Sequence, residues 1–297
     1  MKILNFGSCN IDYVYLLDHI VVPGETEMGD KLEIFSGGKG LNQSVATARA
    51  GASVYHAGCI GLDGDMLLDV MSKSGVDTSL IKRVDSKNGH AIIQVSAKGE
   101  NSIFLYPGSN AMVTREYVDS VLEHFDRGDI LLLQNEISEI EYIVERAYDV
   151  GMSIILNPSP INETIDKIDF NMLEHLILNE VEASAITGLD EPEKCIDCLC
   201  ERYPRLKVML TLGADGCVFS DGKVKHYHPT FKVKAVDTTA AGDTFTGYFA
   251  AELSRGKDIP TVLKIASMAS AIAVSRMGAA PSIPEFTEVY ERLEKGE

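Results

Sequence analysis

The stretch "DILLLQNEISEIEYIVERAYDVGMSIILNPSP", residues 129–160, decides the fold. It opens on an uninterrupted apolar run, Ile130 to Leu133, too short for a helix and suited to a strand buried on both faces. A helical segment follows, with Ile140, Ile143, Val144 and Ala147 on one stripe. Ser138 and Glu141 have the spacing of a capping box at its start, and Gly151 stands just beyond its end. "SIILNPSP" then supplies a second apolar strand. A strand, a helix and a strand in that order predict neighbours in a parallel sheet.

The same alternation extends in both directions. Upstream, "KILNFGS" (2–8) and "SVYHAGCIG" (53–61) read as strands. "LNQSVATARAG" (41–51) and "DGDMLLDVMSKSG" (63–75) read as helices closed by Gly51 and Gly75. Downstream come the strand "LEHLILNE" (173–180), the helix "VEASAITG" (181–188) and the strand "KVMLTLGADG" (207–216), which ends in a glycine turn. Two regions break the rhythm, 12–38 and 89–110. Both alternate with the period of a sheet covered on one face, and Lys98-Gly99 makes a turn between two strands of the second. The expectation is a single α/β domain over 1–297, with a mostly parallel central sheet and a small β lid built from these two insertions.

The totals restrict the function. The chain has 297 residues, 45% hydrophobic and 24% charged, the balance of a globular protein with a sizeable core. A formal charge of −17 argues against nucleic acid or an anionic membrane surface as partner. No signal-peptide pattern and no apolar run long enough to span a membrane are expected. Six cysteines do not make a disulfide scaffold, so a reducing, cytoplasmic compartment is expected. Cys195, Cys198 and Cys200 in "CIDCLC" lack a second ligand pair at zinc spacing. Cys195 and Cys198 are expected on the buried face of one helix.

Three stretches could carry chemistry. "SGGKGLNQS" (36–44) fails the Walker pattern, with Glu33 in place of the leading glycine and Gly40 where Ser or Thr should follow Lys39. It also lacks the dinucleotide fingerprint, which removes a dehydrogenase reading. "SCNID" (8–12) is expected to close the first strand, with Asn10 and Asp12 pointing the same way, a good pair for sugar hydroxyls. Glu136, Asn179, Glu182, Thr211 and Gly213 stand off other strand ends, where open α/β sheets bind ligands. "VDTTAAGDTFTGYF" (236–249) puts small residues and a carboxylate at a helix start. Asp243 there either complements the helix dipole or handles a proton beside an anion held by backbone N–H groups.

Taken together, "GGKGLNQ", "DTTAAGDTFTG", "GSCNID", "PGET" and "AIAVSRMGAAPSIP" resemble the ribokinase family, in the phosphofructokinase-B class of sugar kinases. The resemblance runs from about Asn5 to Pro284. It implies a three-layer ribokinase-like sandwich and ATP-dependent phosphorylation of a pentose, D-ribose at its primary hydroxyl. Asn10, Asp12, Gly38, Lys39, Asn42 and Glu136 match positions around the sugar. Asp243 matches the catalytic base, and Ala240, Ala241 and Gly242 the anion hole, though many members have Gly where Ala240 stands. Asn179 and Glu182 match the motif governing Mg2+ and phosphate, and Thr211, Gly213 and Asp215 the ATP region. Asp237, Thr239, Ala273, Arg276, Gly278 and Ser282 match a loop pair that holds a monovalent cation, K+. The lid matches a clasp that commonly pairs between subunits of a homodimer. Another sugar or nucleoside kinase of the class, or a sugar-binding sensor without catalysis, are the competing readings.

Overall fold

The computed structural model describes residues 1–296. Thirteen strands and nine helices alternate along them. The strands are β1 (Ile3–Phe6), β2 (Asn10–Leu17), β3 (Lys31–Gly37), β4 (Val54–Ile60), β5 (Ile81–Arg83), β6 (Gly89–Ser96), β7 (Asn101–Tyr106), β8 (Ile130–Gln134), β9 (Ser153–Asn157), β10 (His175–Asn179), β11 (Lys207–Thr211), β12 (Cys217–Ser220) and β13 (Lys225–His228). The helices are α1 (Lys39–Arg49), α2 (Asp65–Lys73), α3 (Arg115–Leu122), α4 (Ile140–Val150), α5 (Glu180–Thr187), α6 (Pro192–Arg202), α7 (Ala241–Ser254), α8 (Ile259–Val274) and α9 (Phe286–Lys295). No helix is long and apolar enough to cross a membrane among the described residues.

Nine strands form the central sheet, in the order β13-β12-β11-β10-β9-β8-β1-β4-β5. The run from β5 to β11 is parallel, and the β12–β13 hairpin adds an antiparallel edge. Helices cover both faces, and the strand alternation shows it. Leu131 and Leu133 of β8 face α3, α4 and α6, whereas Ile130 and Leu132 face α1, α7 and α8. An apolar strand with no polar alternation is what a sheet buried on both sides demands. A second sheet, β3-β2-β6-β7, stands apart as the lid. Its centre is the parallel pair β2–β6, with β3 and β7 antiparallel at the edges.

Three local expectations are corrected. The capping box at Ser138 and Glu141 does not form. Ser138 Oγ donates instead to the Val113 carbonyl at 3.0 Å, and Glu139 takes the N-cap of α4 in a left-handed conformation. The hydroxyl is spent on a tertiary bond, so it is not free to cap. "SCNID" does not close β1, which ends at Phe6; Asn10 and Asp12 belong to β2, in the lid. Finally, Cys195 is buried but Cys198 is only half-buried, because the buried stripe of α6 runs through Cys195, Ile196, Leu199 and Cys200.

Candidate active site

The carboxyl ends of β8, β9, β10 and β11 point to one edge of the sheet, and the start of α7 faces them. Between them lies a polar cavity of about 240 Å³. Lys39, Asn179, Glu182, Thr211, Ala240, Ala241, Gly242 and Asp243 form its wall, with Asn157, Thr238 and Thr246. Residues from seven elements or loops thus meet as the strand-end argument predicts.

Asp243 is held on both oxygens. Asn42 Nδ2 donates to Oδ2 at 3.1 Å and Gln43 Nε2 donates to Oδ1 at 2.9 Å. The small residues before it have distinct positions. Ala240 is the N-cap of α7 with φ 58°, a left-handed conformation that L-residues with a Cβ adopt at a cost. The Ala241 N–H donates to the Thr238 carbonyl at 3.2 Å, so one of the three amides expected in the anion hole is engaged within the loop. A Cβ added at Gly242 would meet nothing within 4 Å. Space is therefore open directly over that backbone.

Lys39 lies among the Asp243, Glu136 and Glu182 carboxylates. Burial pulls its ammonium down, but those three charges outweigh it and hold the group above its ordinary value. Glu136 accepts the Lys39 backbone N–H at 3.0 Å and the Ser8 hydroxyl. Burial lifts the Glu136 carboxyl above the usual range despite the opposing pull of Lys39 and Ser8. Asp12 is pushed up to about 7, first by burial and then by the charge of Glu136. Asn10 Oδ1 accepts from Asn110 Nδ2 at 2.7 Å. Gly37 pairs across from Asn10, and a Cβ there would fall 2.0 Å from the Asp12 carboxylate, so this strand position must be glycine for Asp12 to sit where it does. Gly38 turns into α1 with φ 92°.

Asn179 and Glu182 are joined in a reciprocal cap at the start of α5. The Asn179 side chain accepts the Glu182 N–H at 2.9 Å, and the Glu182 carboxylate accepts the Asn179 N–H at 3.0 Å. The Asp237 carboxylate ties two loops together. One oxygen accepts the Thr239 N–H and hydroxyl at 2.9 and 2.6 Å, and the other the Gly278 N–H at 2.9 Å. Ala273 belongs to α8 and Ser282 to a single 3-10 turn at Ala280–Ser282. The Arg276 guanidinium turns to Glu288. Asp215 is exposed and lies on neither cavity wall.

A second, mostly apolar chamber of about 620 Å³ adjoins the first and shares Asn179, Thr211, Thr238, Ala241 and Gly242 with it. Phe231, Val233, Ala235, Phe245 and Val274 line its far side. Sequence reasoning missed this lining, because residues 229–236 form an irregular loop with no periodic signal. It also missed the partners Ser8 and Asn110, which act 128 and 100 residues away from the groups they hold. Gln43 was within reach, being the residue after Asn42 in the glycine-turn motif.

A polar slot thus lies beside an apolar chamber, with the Asp243 carboxylate at the start of α7 in the wall of the slot. The sequence model of the pfkB family carbohydrate kinases matches residues 1–285. The chain belongs to that family. This kinase is 36% identical over 295 residues to the ribokinase of Bacillus subtilis, covering 97% of each chain. Its fold matches the crystal structure of ribokinase from Cryptococcus neoformans in complex with ADP. The TM-score there is 0.88 at 35% identity, over 98% of this chain and 99% of that one. The Arabidopsis thaliana ribokinase complexed with ribose and ATP gives the same TM-score, 0.88, at 26% identity over 99% and 98%. The pfkB kinase described here is an ATP-dependent carbohydrate kinase with a ribokinase-like α/β sheet and lid.

Proposed function

We propose that this kinase is a ribokinase, converting D-ribose and ATP to D-ribose 5-phosphate and ADP. The carrying observation is the placement of Asp243. Its carboxylate is held by Asn42 and Gln43 in the wall of the polar cavity, which it shares with Lys39, and it adjoins the open backbone of Gly242. The Asn42 Oδ1 is buried without a partner, which suits an acceptor for a sugar hydroxyl. Asn10, Asp12, Gly38, Lys39 and Glu136 would complete an all-hydroxyl environment for the sugar. That favours a free pentose over a nucleoside.

The ribose O5 attacks the γ-phosphorus as its proton passes to Asp243. The new O5–P bond forms as the bond to the β–γ bridging oxygen breaks, and ADP leaves. The N–H groups at the start of α7 and the Lys39 ammonium face the charge on the moving phosphoryl group. The adenine fits the apolar chamber, and Thr211 and Gly213 stand beside it. Asn179 and Glu182 offer the oxygen donors that a hard cation prefers, and would hold Mg2+, which neutralises phosphate charge when bound. Asp237, with Thr239 and Gly278 already clasped to it, fits a K+ site completed by Ala273, Arg276 and Ser282. All six cysteines are free thiols, which fits a reducing cytoplasm.

A sugar panel with an ADP readout tests the assignment. D-ribose should lead deoxyribose, fructose 6-phosphate and adenosine. Adenosine or fructose 6-phosphate far ahead of ribose would show that the substrate is misassigned. Sugar binding without ADP release would return the sensor reading.

A further inference from the structure

Behind Asp243 lies a chain of side-chain amides that no solvent reaches. Gln43 Nε2 donates to Asp243 Oδ1 at 2.9 Å. Gln134, the last residue of β8, donates from its own Nε2 to Gln43 Oε1 at 2.7 Å and to Asn5 Oδ1 at 3.0 Å. Asn5 Nδ2 donates in turn to the Gly40 carbonyl and to Ser44 Oγ, both at 2.8 Å. Ser44 Oγ meets His56 Nδ1 at 2.8 Å, and His56 Nε2 lies 3.2 Å from Cys9 Sγ. Asn5, Gln43, Ser44, His56 and Gln134 are all 0% exposed.

The orientation of each amide follows from its neighbours. An ionised carboxylate only accepts, so Gln43 must present its NH2 to Asp243 and its oxygen to Gln134. The Gly40 carbonyl also only accepts, so Asn5 must present its NH2 there and its oxygen to Gln134. Gln134 stands between two oxygens and has to donate to both. Its own oxygen is left buried with no partner, packed toward Gly7, where a Cβ would come within 2.4 Å. A buried polar atom without a partner is a cost to folding. An apolar residue at the end of β8 would avoid it. The arrangement makes sense if the two donated bonds serve something other than stability.

We propose that Gln43 and Gln134 are positioning residues for phosphoryl transfer, a buried amide pair that fixes the orientation of the Asp243 carboxylate from behind. Gln43 touches Asp243, and Gln134 acts through Gln43, relaying the rigidity of the central sheet to the start of α7. A carboxylate held on one oxygen by Asn42 alone could swing about its χ2; the second bond removes that freedom. The proposal rests on Asp243 being the base.

The test is kinetic, with D-ribose and MgATP as probes. Gln134→Met and Gln43→Met are each made in the wild-type and in the Asp243→Asn background. In wild type, misplacement of the base by a fraction of an ångström should lower kcat by about ten- to a hundredfold while both KM values stay within about threefold. In the Asp243→Asn background, followed by single turnover at high enzyme concentration, the same changes should move the rate less than about twofold, since no base remains to be aimed. Turnover within about twofold of wild type in the folded single variants overturns the inference alone. So does a loss of equal size in both backgrounds, which would mark the amides as merely structural. Near-normal turnover by Asp243→Asn itself overturns the base assignment and, with it, the positioning role. Should Gln134→Met fail to fold, Gln43→Met decides the question, because it leaves the Gln134–Asn5 bond in place.

Discussion

Asp12 and Glu136 are half-buried carboxyls close enough to feel each other's charge, and their proton affinity is where the single residue shows itself most directly. The folded Asp12 carboxyl is pushed up to about 7, above the roughly 3.9 of an exposed aspartate. Between those values the fold binds a proton that the unfolded chain does not. The stabilisation is full below the unfolded value and is lost as pH rises through the folded one. Replacing Asp12 by Asn removes this component. The melting temperature of unliganded Asp12→Asn should therefore fall less than that of wild type between about pH 5 and about pH 8. Identical pH dependence in the two proteins would contradict the half-buried, charge-coupled placement of Asp12. For Asp243 the two readings open at the sequence level separate on one variant. As a base, its change to Asn lowers kcat by about 10²–10⁴-fold with ATP affinity little changed. As a mere dipole partner, the change costs only ~0.3–1 kcal/mol of stability and leaves turnover near normal. Measuring kcat and melting temperature on the same preparation distinguishes them.

At the scale of elements, the start of α7 concentrates strain and attachment. Ala240 adopts φ 58° without being glycine. A left-handed residue with a Cβ costs roughly 1–2 kcal/mol, while glycine loses about 0.5–1 kcal/mol through the freedom of the unfolded chain. The balance favours Ala240→Gly by up to about 1.5 kcal/mol, and Ala240→Val should be clearly worse. Thermal unfolding of the pair checks this; a stabilised Val variant would rule out the left-handed geometry. The loop that leads into α7 is pinned by Asp237 to Thr239 and Gly278. A monovalent cation there would fix the loop without touching substrate. Exchanging a large organic cation for K+ at constant ionic strength should raise turnover, and an unchanged rate would remove the proposed role. Sequence periodicity made most elements legible, because strands buried on both faces and amphipathic helices each impose a period. Their ends were less legible. Ser138 had the right type and spacing for a cap, yet its hydroxyl went to Val113 and Glu139 caps α4; the capping box that forms is at α5, from Asn179 and Glu182. Which of two similar patterns caps depends on tertiary partners that local sequence does not encode.

The whole molecule presents one surface that its own core does not cover. Every residue of β7 is exposed, Phe104 at 58% and Leu105 at 53%, and Ile34 on β3 is 49% exposed. A four-stranded sheet with bare apolar side chains is marginal in water. We infer that a second copy of the lid covers it, giving a homodimer. The dimer mass should appear in solution at micromolar concentration, and Phe104→Asp should shift it toward monomer. A wild-type protein that is strictly monomeric at that concentration would refute the pairing. The lid strands were readable from alternation and the Lys98-Gly99 turn. The apolar chamber was not, since it is assembled from an irregular loop and one face each of α7 and α8, parts that acquire a common purpose only when folded.

The register of the lid carries one more consequence. Asn10 pairs with Gly37 on one side and Gly89 on the other, and Asp12 with Phe35 and Ala91. Two ladders grip the strand that bears both polar groups, so that strand moves with its sheet or not at all. If Asn10 and Asp12 hold the sugar as proposed, any movement of this sheet would carry both of them away from it together. Release of a phosphorylated sugar would then be tied to the lid, and a second copy bound to the same sheet would slow or speed both at once.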